Sequence, residues 1–176
     1  MTNISENLSR VRQEIREAAL NAGRAPEDVT LIAVSKTKPA TDVLAALEAG
    51  QRHFGENYVQ EAVAKIAEIS AHGPEPPPVW HFIGAIQSNK TREIATAFDW
   101  VHTVAREKIA RRLNEQRPDG HRLSICLQVN VDGDPNKAGV APEEAAALLA
   151  AGGGFERLDV RGGVGVLVAE SGGRGG

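Results

Sequence analysis

The chain has 176 residues, 41% of them hydrophobic and 24% charged, with a net charge of −3. That is enough chain for one domain with a real core, and an ordinary composition for a globular protein. The mildly acidic balance gives no pull toward nucleic acid or an anionic membrane surface.

The opening stretch MTNISENLSRVRQEIREAAL is polar and amphipathic rather than a signal peptide. Ile4, Leu8, Val11, Ile15 and Ala18 lie on one helix face, with Asn3 and Glu6 placed to cap it and Gly23 to close it. A run rich in β-branched residues, LIAVSK, then ends at Lys36, and ATDVLAALEAG reads as a helix stopping at Gly50. The cycle repeats. RHFGE reads as a strand before a helix over NYVQEAVAKIAEI, with Val59, Val63, Ile66 and Ile69 on its face. VWHFIG precedes a helix near NKTREIATAF, and WVHTV precedes AREKIARRLNEQ. LSICLQVNV precedes PEEAAALLA, where Pro142 fits a first helical turn. Cys126, the single cysteine, sits in that last strand and reads as a buried small hydrophobe. No segment is long and apolar enough to span a bilayer, so a cytoplasmic location is expected.

An opening helix followed by strand–helix units implies a parallel sheet covered by helices. An open doubly wound sheet and a (β/α) barrel both fit. The first strand ends in a lysine instead of a glycine-rich dinucleotide turn, and reactive groups at strand C-termini favour the barrel. The fold class expected is therefore α/β, a TIM-type barrel with an extra N-terminal helix. It is incomplete, at about five to six of eight units, since a full barrel takes ~250 residues. Residues 1–151 form the partial barrel domain. Residues 152–176 hold 10 of the 18 glycines and form a divergent tail. In that tail VRGGVGVLV is a candidate sixth strand, and ESGGRGG has no pattern and reads as disordered.

Several residues can carry chemistry. Lys36 would project its amine at the C-terminal edge of the sheet. To condense with an aldehyde it must be desolvated or sit beside another cation, and the apolar strand and Lys38 offer both. On pattern alone, a solvated lysine at a strand exit explains it as well. Asn57 and Tyr58 of GENYVQEA follow the second strand. Asn57 can cap the next helix, with Gln60 reciprocating, or face a ligand. In GAIQSNK, Gly84 allows close backbone approach, and Gln87, Ser88 and Asn89 offer polar groups at a helix start. Lys137 of DGDPNKAG could meet a phosphate or be a surface charge. The D-x-D-x-N of that loop lacks the glycine and glutamate of a calcium loop. His53, His81 and His102 lie on separate strands without zinc-ligand spacing and read as core residues, so no metal is expected.

LIAVSKTKPA, HFGENYVQEA, WHFIGAIQSNKTREIA, FDWVHTV and NVDGDPNKAGV resemble, in order and spacing, the YggS-like pyridoxal-phosphate homeostasis family. The match runs from about Asn3 to about Leu149. The family is similar in fold to the alanine racemase N-terminal barrel. The resemblance implies that Lys36 carries pyridoxal 5'-phosphate (PLP) as a Schiff base and that Asn57 lies by the cofactor ring. It also implies a cytoplasmic, monomeric PLP carrier without established catalysis, which buffers the cofactor and passes it to apo-enzymes. Members continue with an LRGLM-type sixth strand and late segments that bind the phosphate. Here the composition changes near residues 150–160, as expected of a C-terminally truncated or frameshifted member that holds PLP weakly. A racemase-like PLP enzyme and an inactive fragment are the alternatives.

Overall fold

The structure, a computed structural model, describes residues 3–166. Helix α1 spans Ile4–Asn21 and starts as its sequence suggests: Asn3 Oδ1 accepts the Glu6 N–H at 3.2 Å. Gly23, at φ +69°, closes it where a side chain would be strained. The chain then forms two compact units. One runs to Gly84 and includes Ala97–Asp99, and the other comprises Ala85–Thr96 and the chain from Trp100 onward.

In the first unit the elements are β1 (Ala33–Val34), α2 (Ala40–Glu48), β2 (His53–Glu56), α3 (Val59–Ala71) and β3 (Val79–Phe82). β1 pairs in parallel with β2 through Ala33↔Phe54 and Val34↔Gly55. β2 pairs in parallel with β3 from His53↔Val79 to Glu56↔Phe82. Alternation along β2 and β3 sends Phe54 and Phe82 into the core, where they are almost fully buried. Phe54 packs on Trp80 at 5.5 Å, and Phe82 meets Phe98 edge to face at 5.2 Å. Burying one such ring stabilises by ~1.5–3 kcal/mol. Arg12 of α1 donates to the Ala49 carbonyl at 2.9 Å and to Gln51 Oε1 at 3.0 Å. Gln51 in turn donates to the Leu31 and His53 carbonyls, which fixes where β2 begins.

The first strand is shorter than the run LIAVSK suggests. Only Ala33 and Val34 are in the ladder, although the Ser35 N–H still reaches the Gly55 carbonyl at 2.9 Å. Among the described residues β1 has a neighbour on one side only. Thr37 then takes φ +60° and turns the chain away. Lys36 thus lies in a turn two residues beyond the strand, not at its last position.

The second unit contains α4 (Thr91–Ala97, whose last residue belongs to the first unit), β4 (Trp100–Val104), α5 (Glu107–Gln116), β5 (Leu123–Asn130), α6 (Pro142–Gly152) and β6 (Leu158–Val166). Pro142 sits in the first turn of α6, followed by Glu143 and Glu144, where the helix dipole favours acidic groups. β4 pairs in parallel with β5, and β5 with β6 from Leu123↔Leu158 to Asn130↔Val166. The candidate sixth strand is therefore a strand, and it starts two residues before VRGGVGVLV. The stretch ESGGRGG lies outside the described residues. Val101, Val104, Leu113, Leu123 and Ile125 form the core of this unit. Among the described residues no helix is long and apolar enough to cross a membrane.

Candidate functional site

β1, β2 and β3 are parallel, so the turns that follow them gather at one edge of the first unit's sheet. These turns carry Lys36, Asn57 and Gly84. The β1–β2 pairing ends at Val34↔Gly55, and Lys36 and Asn57 each lie two residues beyond that last paired position. On the other side the Ile83 N–H donates to the Glu56 carbonyl at 2.9 Å, and the chain then runs against Asn57. A Cβ on Gly84 would overlap the Asn57 carbonyl oxygen and lie 2.8 Å from its carbon and 2.9 Å from Cα. Only a glycine lets these two backbones approach so closely.

Asn57 is not the cap of α3. The capping position is Tyr58, whose own side chain makes no capping hydrogen bond and is exposed. The chain stays extended through Tyr58, which sets Asn57 one residue too early to reach the first-turn N–H groups. Asn57 Oδ1 is instead buried and accepts no hydrogen bond. A buried acceptor without a donor is costly and asks for an explanation. Lys36 is exposed, so the desolvation expected from the apolar strand is not supplied there.

Beneath the Lys36 turn lies a buried ionic cluster. The Lys65 ammonium donates to Glu56 Oε1 at 2.5 Å, to the Ser35 carbonyl at 2.7 Å and to Glu61 Oε1 at 3.1 Å. Ser35 Oγ donates to the same Glu56 oxygen at 3.1 Å, and the Thr37 N–H donates to Glu61 Oε1 at 2.5 Å. The side chain of Glu56 is wholly buried, and that of Lys65 is 5% exposed. The hydrogen bond from Lys65, helped by the Thr37 N–H, holds the Glu61 carboxyl below its ordinary range against the opposing effect of burial.

Nothing in the sequence reading singled out this cluster. α3 buries Ala62, Lys65 and Ile69, whereas Val59, Val63 and Ile66 are only half-buried. Two signals were there: Lys65 falls on the stripe of Ala62 and Ile69, and Glu61 precedes it by one turn.

Ser88 and Lys137 belong to the second unit. Ser88 is half-buried, and its carbonyl accepts the Thr91 hydroxyl at 3.2 Å. Lys137 sits half-buried on the loop after β5. Asn130 holds that loop by donating to the carbonyls of Asp134 at 2.7 Å and Lys137 at 3.2 Å. The Asp134 carboxylate accepts the Asn136 N–H within the same loop at 2.9 Å. His53 and His81 share a hydrogen bond, Nδ1 to Nε2, at 2.9 Å. Burial lowers the His53 pKa, partly opposed by Asp99, and burial lowers that of His102. Among the described residues no group of three or more His, Cys, Asp or Glu is gathered as for a metal ion.

Residues 4–168 match the family model of the alanine racemase N-terminal domain. A protein of Pseudomonas aeruginosa named pyridoxal phosphate homeostasis protein is 55% identical over 163 residues, covering 92% of this chain and 69% of its own length. The chain belongs to the pyridoxal phosphate homeostasis protein family. PipY of Synechococcus elongatus, whose structure has PLP bound, superposes with a TM-score of 0.76 at 37% identity, over 93% of this chain and 70% of PipY. The family shares its fold with true racemases: that of Corynebacterium glutamicum gives a TM-score of 0.63 at 15% identity, over 93% of this chain and 43% of the racemase. The fold is thus the alanine racemase N-terminal type, an incomplete (β/α) barrel.

Proposed function

We propose that this chain binds pyridoxal 5'-phosphate through Lys36 and serves the intracellular homeostasis of that cofactor as a carrier without a reaction of its own. The observation that carries the reading is the buried, unpartnered Asn57 Oδ1 at the sheet edge that also holds Lys36. A flat, polar ring placed there gives that oxygen a donor, and Gly84 keeps the adjoining wall free of a side chain. The name of the Pseudomonas relative and the bound state of PipY support the same choice of cofactor.

When bound, the cofactor supplies an aldehyde that a lysine amine can hold covalently. The chain's own residues do the rest. Lys36 presents the amine from an exposed turn that a ligand can reach. Asn57 orients the ring, and Tyr58, exposed beside it, adds a further contact. Ser88 and Lys137 remain candidates on the chemistry of their side chains alone, a hydroxyl and a cation of the kind that suits a phosphate. A cytoplasmic, monomeric carrier that hands PLP to apo-enzymes completes the proposal. The relatives' name is that of a homeostasis protein rather than an enzyme, which supports the non-catalytic reading. The shared fold favours a racemase-like reading as the second choice.

Both readings are tested together. PLP is titrated into the chain and into Lys36→Ala, followed by borohydride reduction and peptide mapping. The expected result is one pyridoxyl group on the Lys36 peptide, absent from the variant, with no racemisation of amino acids. Label spread equally over surface lysines in both proteins would overturn the site, and measurable racemisation would overturn the carrier.

A further inference from the structure

We propose that Glu61 and Lys65 are positioning residues for Lys36, acting through the two residues on either side of it. The inference rests on the reading of Lys36 as the cofactor lysine.

Lys36 makes no backbone ladder bond of its own, so its direction is set by its neighbours. On one side, the Ser35 carbonyl accepts from Lys65 at 2.7 Å, its hydroxyl donates to Glu56 at 3.1 Å, and its N–H donates to Gly55 at 2.9 Å. On the other side, the Thr37 N–H is taken by Glu61 at 2.5 Å. One oxygen, Glu61 Oε1, receives both Thr37 and the Lys65 ammonium, so the two halves of the clamp are a single unit.

The clamp also explains an unfavourable backbone. Thr37 is β-branched and stands at φ +60°, a region such residues avoid unless the surroundings enforce it. Its hydroxyl turns back to the Lys36 carbonyl at 2.6 Å. With Thr37 released, the turn would relax toward an extended path and change the direction of the Lys36 Cα–Cβ bond. Simple packing does not account for the arrangement. A lysine buried beneath a turn is expensive, and an apolar side chain would fill the space on α3 beside Ala62 and Ile69 at less cost. A charge there makes sense as a hub that joins the Ser35 carbonyl after β1, Glu56 at the end of β2 and Glu61 in the first turn of α3.

The test uses the full chain. Lys65→Met leaves Glu56 buried without its cation and can fail to fold, so the decisive variants are Glu61→Ala and Glu61→Gln. Glu61 is about one third exposed, and Lys65 keeps its other two acceptors in both. The readouts are the PLP dissociation constant, the circular dichroism induced in the bound cofactor's absorbance band, and the melting temperature. For Glu61→Ala, the expected result is PLP bound at least about tenfold more weakly and an induced signal at least halved, with the fold retained. Glu61→Gln, which keeps an acceptor for Thr37, should recover a large part of both. Unchanged affinity and signal in Glu61→Ala would overturn the positioning role and leave the cofactor reading intact. Equal losses in the two variants would overturn it as well, because the Thr37 acceptor would then be irrelevant. A wild-type chain that takes no label on Lys36 overturns the cofactor reading first, and the positioning role falls with it.

Discussion

At the scale of single residues the informative groups are those that break an expectation. Asn57 reads from sequence as a helix cap, since asparagine before a helical pattern with Gln60 three places on is a capping signature. Its amide oxygen is instead buried and unpaired, one residue before the true capping position. Boundaries of one residue are beyond what spacing can resolve, and here one residue separates a capping role from the proposed binding role. Asn57→Ala is accordingly expected to cost under ~1 kcal/mol of stability, because no hydrogen bond to that oxygen is lost, while PLP affinity falls about tenfold. Urea melts and a cofactor titration measure the two separately. Gly84→Ala should behave in the opposite way. Its Cβ would run into the Asn57 carbonyl, and forcing the two backbones apart is expected to destabilise by ~1–3 kcal/mol even without cofactor. A Gly84→Ala chain as stable as the parent would contradict the close approach.

At the scale of elements, the alternation of strand and helix was legible because each period persists over a whole segment. β2, β3, β4 and β5 begin within about a residue of where the apolar pattern changes. β1 was overextended because LIAVSK looks the same whether or not a neighbour pairs with it. Pairing is a long-range fact that local sequence does not contain. The buried face of α3 departs from its apolar pattern for a related reason. Valine and isoleucine outweigh alanine and lysine in any apolar count, yet the helix buries Ala62 and Lys65, because α3 closes over an ionic cluster there. The cluster gives a direct expectation. Lys65→Met strands the carboxylate of Glu56, which is wholly buried, and should destabilise the fold by ~3–5 kcal/mol. Pairing it with Glu56→Gln should recover part of that loss, since the uncompensated charge is what makes the single change severe. Chemical denaturation of the two single variants and the double variant checks this, and strict additivity would argue against a shared network.

For the molecule as a whole, charge and burial together set a pH dependence. His53 and His102 have pKa values lowered from about 6.5 by burial, so the unfolded chain takes up protons before the folded chain does. Stability therefore falls as pH drops below about 6.5, until the lowered folded-state values are passed. Glu61 adds a second window. Its carboxyl titrates below its ordinary range, so its contribution is present above the unfolded value, near ~4.3, and is lost as pH falls through the depressed one. Urea midpoints should decline between pH 7.5 and 5.5 and decline again below pH 4.5. A midpoint that stays flat from pH 7.5 to 5.5 would show that the two imidazoles pay no burial penalty. Histidines on strands were visible in the sequence, but not the 2.9 Å contact of His53 with His81, since the sequence does not give the stagger between β2 and β3.

The burial of Cys126 has a practical side. The side chain is 9% exposed within β5, at the point where the register with β6 shifts, and burial raises the pKa of its thiol. A protonated, covered sulfur does not react with thiol reagents. With no second cysteine in the chain, modification can occur at one place only, and local opening of β5 is expected to speed it. The thiol is thus expected to act as a native chemical clock: the rate at which a disulfide reagent consumes it should rise with the openings of that strand. Added without any engineered label, the reagent reads local opening directly, and a ligand that tightens the second unit will slow the clock.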